Sequence, residues 1–166
     1  LFPYTTLFRS AFLNPIVNSY ERFGKFEAPK YVSWSHQNRS QLVRIPAATG
    51  EKTRMELRSP DSAINPYLAF SLILGAGLYG IENSLKLPKE INENLYTLDE
   101  EKLKDIEVLP ETLEEALDIA KNSEFIRSII GSDVLDRYIE LKEIEADQYN
   151  KSIEKEKMKR LYFEYI

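Results

Sequence analysis

From Ser62 to Ile81 the chain runs twenty residues without a charge. Few structures let such a stretch exist in water. Asn65 suits a helix N-cap and Pro66 the first helical position, which predicts a helix from Pro66 to about Asn83. The mainly apolar part begins at Tyr67 and is fifteen residues long, short of the ~20 a membrane span needs. A helix apolar nearly all round belongs inside a core, so it is expected to be buried. Gly75, Gly77 and Gly80 each cost a helix about 1 kcal/mol relative to Ala. Their presence predicts close packing against another backbone.

Just upstream, TRMELRS (residues 53–59) alternates. A strand sends successive side chains to opposite faces, so Arg54, Glu56 and Arg58 line one face about 6.6 Å apart and Met55 and Leu57 the other. QLVRIP (41–46) reads as a second strand, with Leu42 and Arg44 on one face and Val43 and Ile45 on the other. The AATGEK segment reads as the turn between them. Arg44 then joins the charged ladder if the register aligns the faces. Ion pairs on a solvated strand would explain the pattern blandly; a site for an anionic ligand with a metal would explain it too.

Taken alone, such a ladder is more often ion-pair decoration; the charge distribution bears on what kind of ligand would sit there. Net charge is −5, yet residues 20–66 hold eight Lys and Arg against five Asp and Glu. Residues 67–166 hold thirteen against twenty-two. A basic segment on an acidic body suits a local anion better than a nucleic-acid track. Five of those eight basic residues are Arg, whose planar fork grips carboxylate or phosphate bidentately. The absence of cysteine excludes disulfides and thiolate metal sites and suits a reducing compartment.

Residues 11–40 are loop-rich, with one strand expected at KYVSWS. The last third is expected to be helical. Thr112 with Glu115 forms a capping box before the face Leu113, Ala116, Leu117 and Ala120. Gly131 ends a short helix, and Ser132 or Asp133 is expected to cap the next, running to about Tyr149. Met158, Leu161, Tyr162 and Tyr165 share a helical stripe in the tail. Residues 1–10 fit none of these patterns and are set aside as a non-native leader, leaving 11–166 as one portion of a longer domain. The expected fold class is α+β: antiparallel strands carrying the site, followed by packed α-helices.

NPIVNSYERF, FEAPKYVSWS, NRSQLVRIPAA and TRMELRSPDSAINPYLAF, in that order, closely resemble the C-terminal part of type I glutamine synthetases. The resemblance runs from about Ala11 to the C-terminus. It implies ATP-dependent ligation of ammonia to L-glutamate through a γ-glutamyl phosphate, with ATP and Mg²⁺ or Mn²⁺ as cofactors, in a cytoplasmic double hexameric ring. Neither a nucleic-acid nor a membrane partner is expected. Phosphoryl transfer asks for such parts, since its catalysis is positioning plus charge stabilisation.

Carried onto this chain, the resemblance implies that Arg22 holds glutamate and that Glu27 is a flap carboxylate closing the site and deprotonating ammonium. It implies that Arg39 contacts ATP phosphate and glutamate, and that Arg44 contacts the phosphate in transfer. Arg54 would lie on the nucleotide, Glu56 would ligate the metal, and Arg58 would hold a glutamate carboxylate. ERFGKFE is a shorter flap than many members have. The family's other metal glutamates lie upstream, so this portion alone is expected to be inactive. Alternatives are a γ-glutamyl ligase taking an amine, or a non-catalytic relative kept for assembly. His36 receives no role. Tyr96 lies near a tyrosine that some members modify, but its surroundings depart from that pattern and no modification is expected. The tail stripe is expected to be a subunit interface.

Overall fold

The computed structural model describes residues 9–25 and 28–165, with side chains 163–165 left aside. Two short helices open it, α1 (Ser10–Leu13) and α2 (Val17–Tyr20), followed by strands β1 (Trp34–His36), β2 (Val43–Ile45) and β3 (Glu56–Leu57). Helices α3 (Pro66–Glu82), α4 (Glu100–Leu103), α5 (Leu113–Lys121), α6 (Glu124–Ile130), α7 (Ser132–Lys151) and α8 (Lys155–Tyr165) complete it. The α+β class is as expected, and the strands precede the helices apart from the two short opening ones. Arg9 and Ser10, set aside in the sequence reading, are both buried, and burial lowers the Arg9 pKa to about 10.

The three strands form one sheet in the order β1-β2-β3. β2 and β3 are antiparallel, pairing Val43 with Leu57 and Arg44 with Glu56. β1 and β2, expected to be antiparallel, are parallel, with Trp34 opposite Val43 and His36 opposite Ile45. Parallel neighbours normally need a connection of about a dozen residues or more. Here residues 37–42 suffice, because Gln37 takes a left-handed φ of 64° and Asn38 Oδ1 accepts from Ser40 N at 2.9 Å. That tight turn throws the chain back to the start of β1. The strand expected at KYVSWS is thus reduced to its last residues plus His36, while Tyr31 makes an isolated antiparallel bridge to Val108.

The main core joins α1, α2, α3, α5, α6 and α7 through Phe12, Tyr20, Leu72, Leu113, Leu117, Ile126, Leu135 and smaller residues. Phe12 stacks on Tyr138 at 4.2 Å between ring centroids, and Tyr138 Oη donates to Ala11 O at 2.7 Å. A second cluster of Val32, Leu42, Val43 and Leu109 lies under the sheet.

α3 begins where expected: Asn65 Oδ1 accepts from Tyr67 N and Leu68 N. Its burial is the main departure. Ala69, Leu72 and Ala76 are buried, whereas Tyr67 is 84 % exposed, Ile81 77 %, and Phe70, Leu74 and Leu78 also face out. The helix is apolar all round but covered on one side only, by α6 and α1. Gly75 meets a side chain and not a backbone: a Cβ there would lie 2.7 Å from Ile129 Cδ1, and one at Gly77 would meet nothing within 4 Å. Among the described residues no helix is long and apolar enough to cross a membrane.

Thr112 Oγ1 accepts from Glu115 N at 3.2 Å, half of the expected capping box. The returning carboxylate accepts from Glu111 N at 2.8 Å instead of from the cap residue. Neither Ser132 nor Asp133 caps α7; Gly131 occupies the cap position with φ 83°, a left-handed angle natural to glycine. The tail helix α8 folds onto its own body: Tyr162 Oη donates to Glu145 Oε1 at 2.5 Å, Lys159 pairs with Glu21, and Asn18 donates to Lys159 O.

Candidate active site

The alternation read from TRMELRS meets β2 across the sheet. Because the register sets Arg44 opposite Glu56, Arg44 Nη1 reaches Glu56 Oε2 at 2.8 Å. On the other side Arg54 Nη2 and Nε donate to Glu56 Oε1 at 2.9 and 3.2 Å. One carboxylate is thus held between two guanidiniums. Hydrogen bonding from Arg44, then from Arg54, lowers the Glu56 pKa and keeps it ionised. Arg44 Nε also donates to Gln37 O at 3.1 Å, tying the ladder to the turn that carries Arg39.

Arg58 continues β3, its backbone N–H donating to Leu42 O at 2.9 Å, and its side chain is partly buried. One residue further, Ser59 O accepts from Arg22 Nη2, which also donates to Asn14 Oδ1 at 2.5 Å. Arg22 Nε lies 3.3 Å from Asp61 Oδ2, with the guanidinium 5.3 Å from the Phe23 ring centre. Burial lowers the Arg22 pKa and Asp61 partly offsets that. Arg22 is therefore anchored to the segment that directly extends the ladder. Arg39 lines an open cavity of about 630 Å³ with Lys25, Asn38, Ser40, Asn92, Asn94 and Tyr96. Glu27 lies outside the described residues.

Sequence reading placed Arg44, Glu56 and Arg54 together and missed their surroundings. Asp61, the partner of Arg22, offered one clue: it sits in a turn, its Oδ1 accepting from Ala63 N at 2.9 Å, as aspartates in such turns do. In the sequence the cavity wall at 92–96 is marked by nothing more than Asn92 and Asn94 in a polar stretch. His36, given no role, holds that loop through Glu90 Oε1, which accepts from His36 N at 2.8 Å and lies 2.9 Å from Nδ1.

A metal needs more than the ladder offers. Glu56 is a single carboxylate already engaged by two arginines, and among the described residues no group of three or more His, Cys, Asp or Glu could hold an ion. The segment by itself does not make a divalent-cation site. Its guanidiniums do fit phosphate and carboxylate oxygens.

An α+β domain that carries a guanidinium-rich, carboxylate-spaced sheet face is of the kind that grips phosphorylated and carboxylate ligands. The family model described as glutamine synthetase, catalytic domain, matches residues 8–161, and the chain belongs to that family. It is 48 % identical over 143 residues to a glutamine synthetase of Methanosarcina mazei, covering 84 % of this chain and 32 % of that protein. It is 42 % identical over 147 residues to one of Staphylococcus aureus, covering 87 % of this chain and 33 % of that protein. The chain thus spans about a third of the length of these relatives. Among solved structures, ligand-free GmaS superposes with a TM-score of 0.77 at 31 % identity, covering 90 % of this chain and 33 % of that one. A GmaS complex with ADP gives 0.76 at 28 %, covering 90 % and 35 %.

Proposed function

We propose that this segment is the C-terminal portion of a ligase catalytic domain that joins ammonia to the side-chain carboxylate of L-glutamate, with ATP, through a γ-glutamyl phosphate. The observation that supports it most is the Arg44–Glu56–Arg54 trio, continued through Arg58 to the anchored Arg22. ATP supplies the phosphoryl group that turns a poor carboxylate leaving group into a good one. Arg54 and Arg39 hold its phosphates, and Arg44 stabilises charge on the group in transfer. Arg22 commits Nε and Nη2 to the fold, which leaves its Nη1 donors for a glutamate carboxylate, with Arg58 alongside. Glu27 acts as the closing carboxylate toward ammonium. Glu56 would be this segment's ligand to Mg²⁺ or Mn²⁺, which would neutralise phosphate charge, with the remaining ligands supplied by other residues of the full-length protein. The working form is a cytoplasmic double hexameric ring.

The test is ATP-dependent product formation by a full-length protein carrying this segment, assayed with glutamate and either ammonia or methylamine. Expected are glutamine and one phosphate per turnover, with Arg44→Ala lowering kcat by roughly two orders of magnitude, the scale of one lost charge-stabilising donor. Preference for methylamine would change the acceptor and leave the ligase reading intact. No ATP turnover with either acceptor would end it.

A further inference from the structure

Arg39 is flanked in sequence by two residues, Asn38 and Ser40, that line the same cavity and also enter a partly buried hydrogen-bond cluster. Asn38 Nδ2 donates to both Asn92 O and Glu93 O, at 3.0 and 2.9 Å. Its Oδ1 accepts from Ser40 N and from Ser40 Oγ, each at 2.9 Å. Ser40 Oγ in turn accepts from Leu95 N at 3.0 Å and from Gln41 Nε2 at 3.3 Å. Gln41 Nε2 also donates to Glu93 O at 3.1 Å. Ser40, Gln41 and Leu95 are all buried. Four successive residues of one turn thus face a loop more than fifty positions away, Arg39 toward the cavity and the other three into its backbone.

We propose that Asn38, Ser40 and Gln41 are positioning residues: they clasp the 92–95 backbone and so fix Asn92, Asn94 and Tyr96 across the cavity from Arg39, presetting it for a compact phosphate-type anion. The physical case is one of satisfaction and entropy. Joining segments so distant in sequence costs loop-closure entropy, which a single exposed hydrogen bond does not offset. A buried network does better, because its bonds strengthen one another in a low-dielectric site. Ser40 is its keystone, one hydroxyl donating once and accepting twice. Removing it would leave the Leu95 N–H buried without an acceptor, so that amide would bear its full desolvation penalty. The clasp is built only from neutral groups, so it does not itself offset the charge of Arg39 or Lys25. Arg44 Nε on Gln37 O holds the other end of the same turn, which couples the clasp to the ladder.

This rests on the reading of Arg39 as a phosphate-binding residue, and the experiment separates the two. A full-length protein carrying this segment is titrated with inorganic pyrophosphate by calorimetry, with amide exchange at Leu95 followed in parallel by mass spectrometry. Ser40→Ala is expected to speed Leu95 exchange roughly tenfold, leaving Leu117 and Ile126 unchanged. It is also expected to weaken pyrophosphate roughly fivefold, by loss of preorganisation. Ser40→Thr, which keeps the hydroxyl, restores both. Gln41→Met gives a smaller effect of the same kind and serves if Ser40→Ala does not fold. Arg39→Gln abolishes binding with Leu95 exchange at the wild-type rate. If Ser40→Ala frees Leu95 yet binds pyrophosphate as well as wild type, the clasp is merely structural and the proposal fails while the Arg39 reading stands. Unchanged Leu95 exchange also overturns it. A wild-type chain that does not bind pyrophosphate overturns the Arg39 reading and the proposal with it.

Discussion

Helices α5 and α3 show how far a helix can be understood from inside its own segment. α5 buries Leu113, Ala116, Leu117 and Ala120 and turns Asp118 and Lys121 outward; its buried face packs on α1 and α7. α3 buries Ala69, Leu72 and Ala76 in the same way. Its opposite face repeats the apolar pattern at Tyr67, Phe70, Leu74, Leu78 and Ile81, and all five are exposed. At 1.5 Å per residue that stripe is about 21 Å long. Continuous apolar surface of this kind marks contact and not solvation. α5 is finished within the segment, whereas α3 has a second face that no described residue covers.

The largest test of that difference is a pair of truncations. Leu117→Ala, in the shared core, should cost about 2–5 kcal/mol, read as a lower denaturant midpoint. Leu74→Gln, on the stripe, should change stability by no more than about 0.5 kcal/mol and should raise solubility. Equal losses would mean that the stripe is packed in solution and the contrast is false.

The next effect concerns helix starts, where the two helices should agree. Thr112 caps α5 by accepting from Glu115 N, and Asn65 caps α3 by accepting from Tyr67 N and Leu68 N. Replacing either by Ala should cost about 1 kcal/mol in thermal or denaturant unfolding. A silent Asn65→Ala would show that α3 is frayed where it is least covered.

What the sequence made legible follows the same line. Local chemistry was readable: the caps Asn65 and Thr112, the α5 face, and the shared side of Arg54 and Glu56, since strand alternation places charges before any fold is known; Arg44 joins them only through the β2–β3 register. Non-local packing was not. The parallel pairing of β1 on β2 turns on the left-handed Gln37 and the folded-back Asn38, and no period in the sequence encodes it. The stripe on α3 was read as buried because hydrophobicity reports that a residue wants a partner, not whether this segment contains one. Asp61 and the 92–96 wall escaped because a cavity-lining Asn or a partnered Asp looks like any loop residue.

A finer probe is the glycine pair on α3. Gly77→Ala meets open space and should stabilise by up to about 1 kcal/mol through helix propensity. Gly75→Ala gains the same propensity but must push aside Ile129, whose Cγ1 would lie 3.0 Å from the new Cβ. It should therefore raise Tm less than Gly77→Ala does. An equal gain would mean that α6 packs on α3 loosely.

The smallest effect separates the sheet side from the helical side by pH. On the sheet side Glu90 accepts first from the backbone N–H of His36 and then from its ring, which lowers its pKa below the ordinary carboxylate value of 4.5. A lowered carboxylate stabilises the fold above its unfolded pKa and loses that contribution as pH falls through its folded value. On the helical side Lys121, paired with Glu143 at 2.8 Å, has a raised pKa and its contribution is lost as pH rises through that raised value, while α5 and α7 are held besides by the uncharged cluster of Leu113, Leu117 and Leu135. Acid should therefore loosen the 84–95 loop from β1 before it touches the α5–α7 pairing. The single tryptophan reports this directly, because Trp34 Nε1 donates to Pro88 O at 2.9 Å and Trp34 O accepts from Ile91 N. Its fluorescence should shift as pH drops from about 6 to about 3 while far-UV helicity holds. Glu90→Gln, which cannot ionise, should flatten that shift. A variant that titrates like wild type would assign the acid response to other carboxylates and leave the two sides of the molecule alike in how they meet low pH.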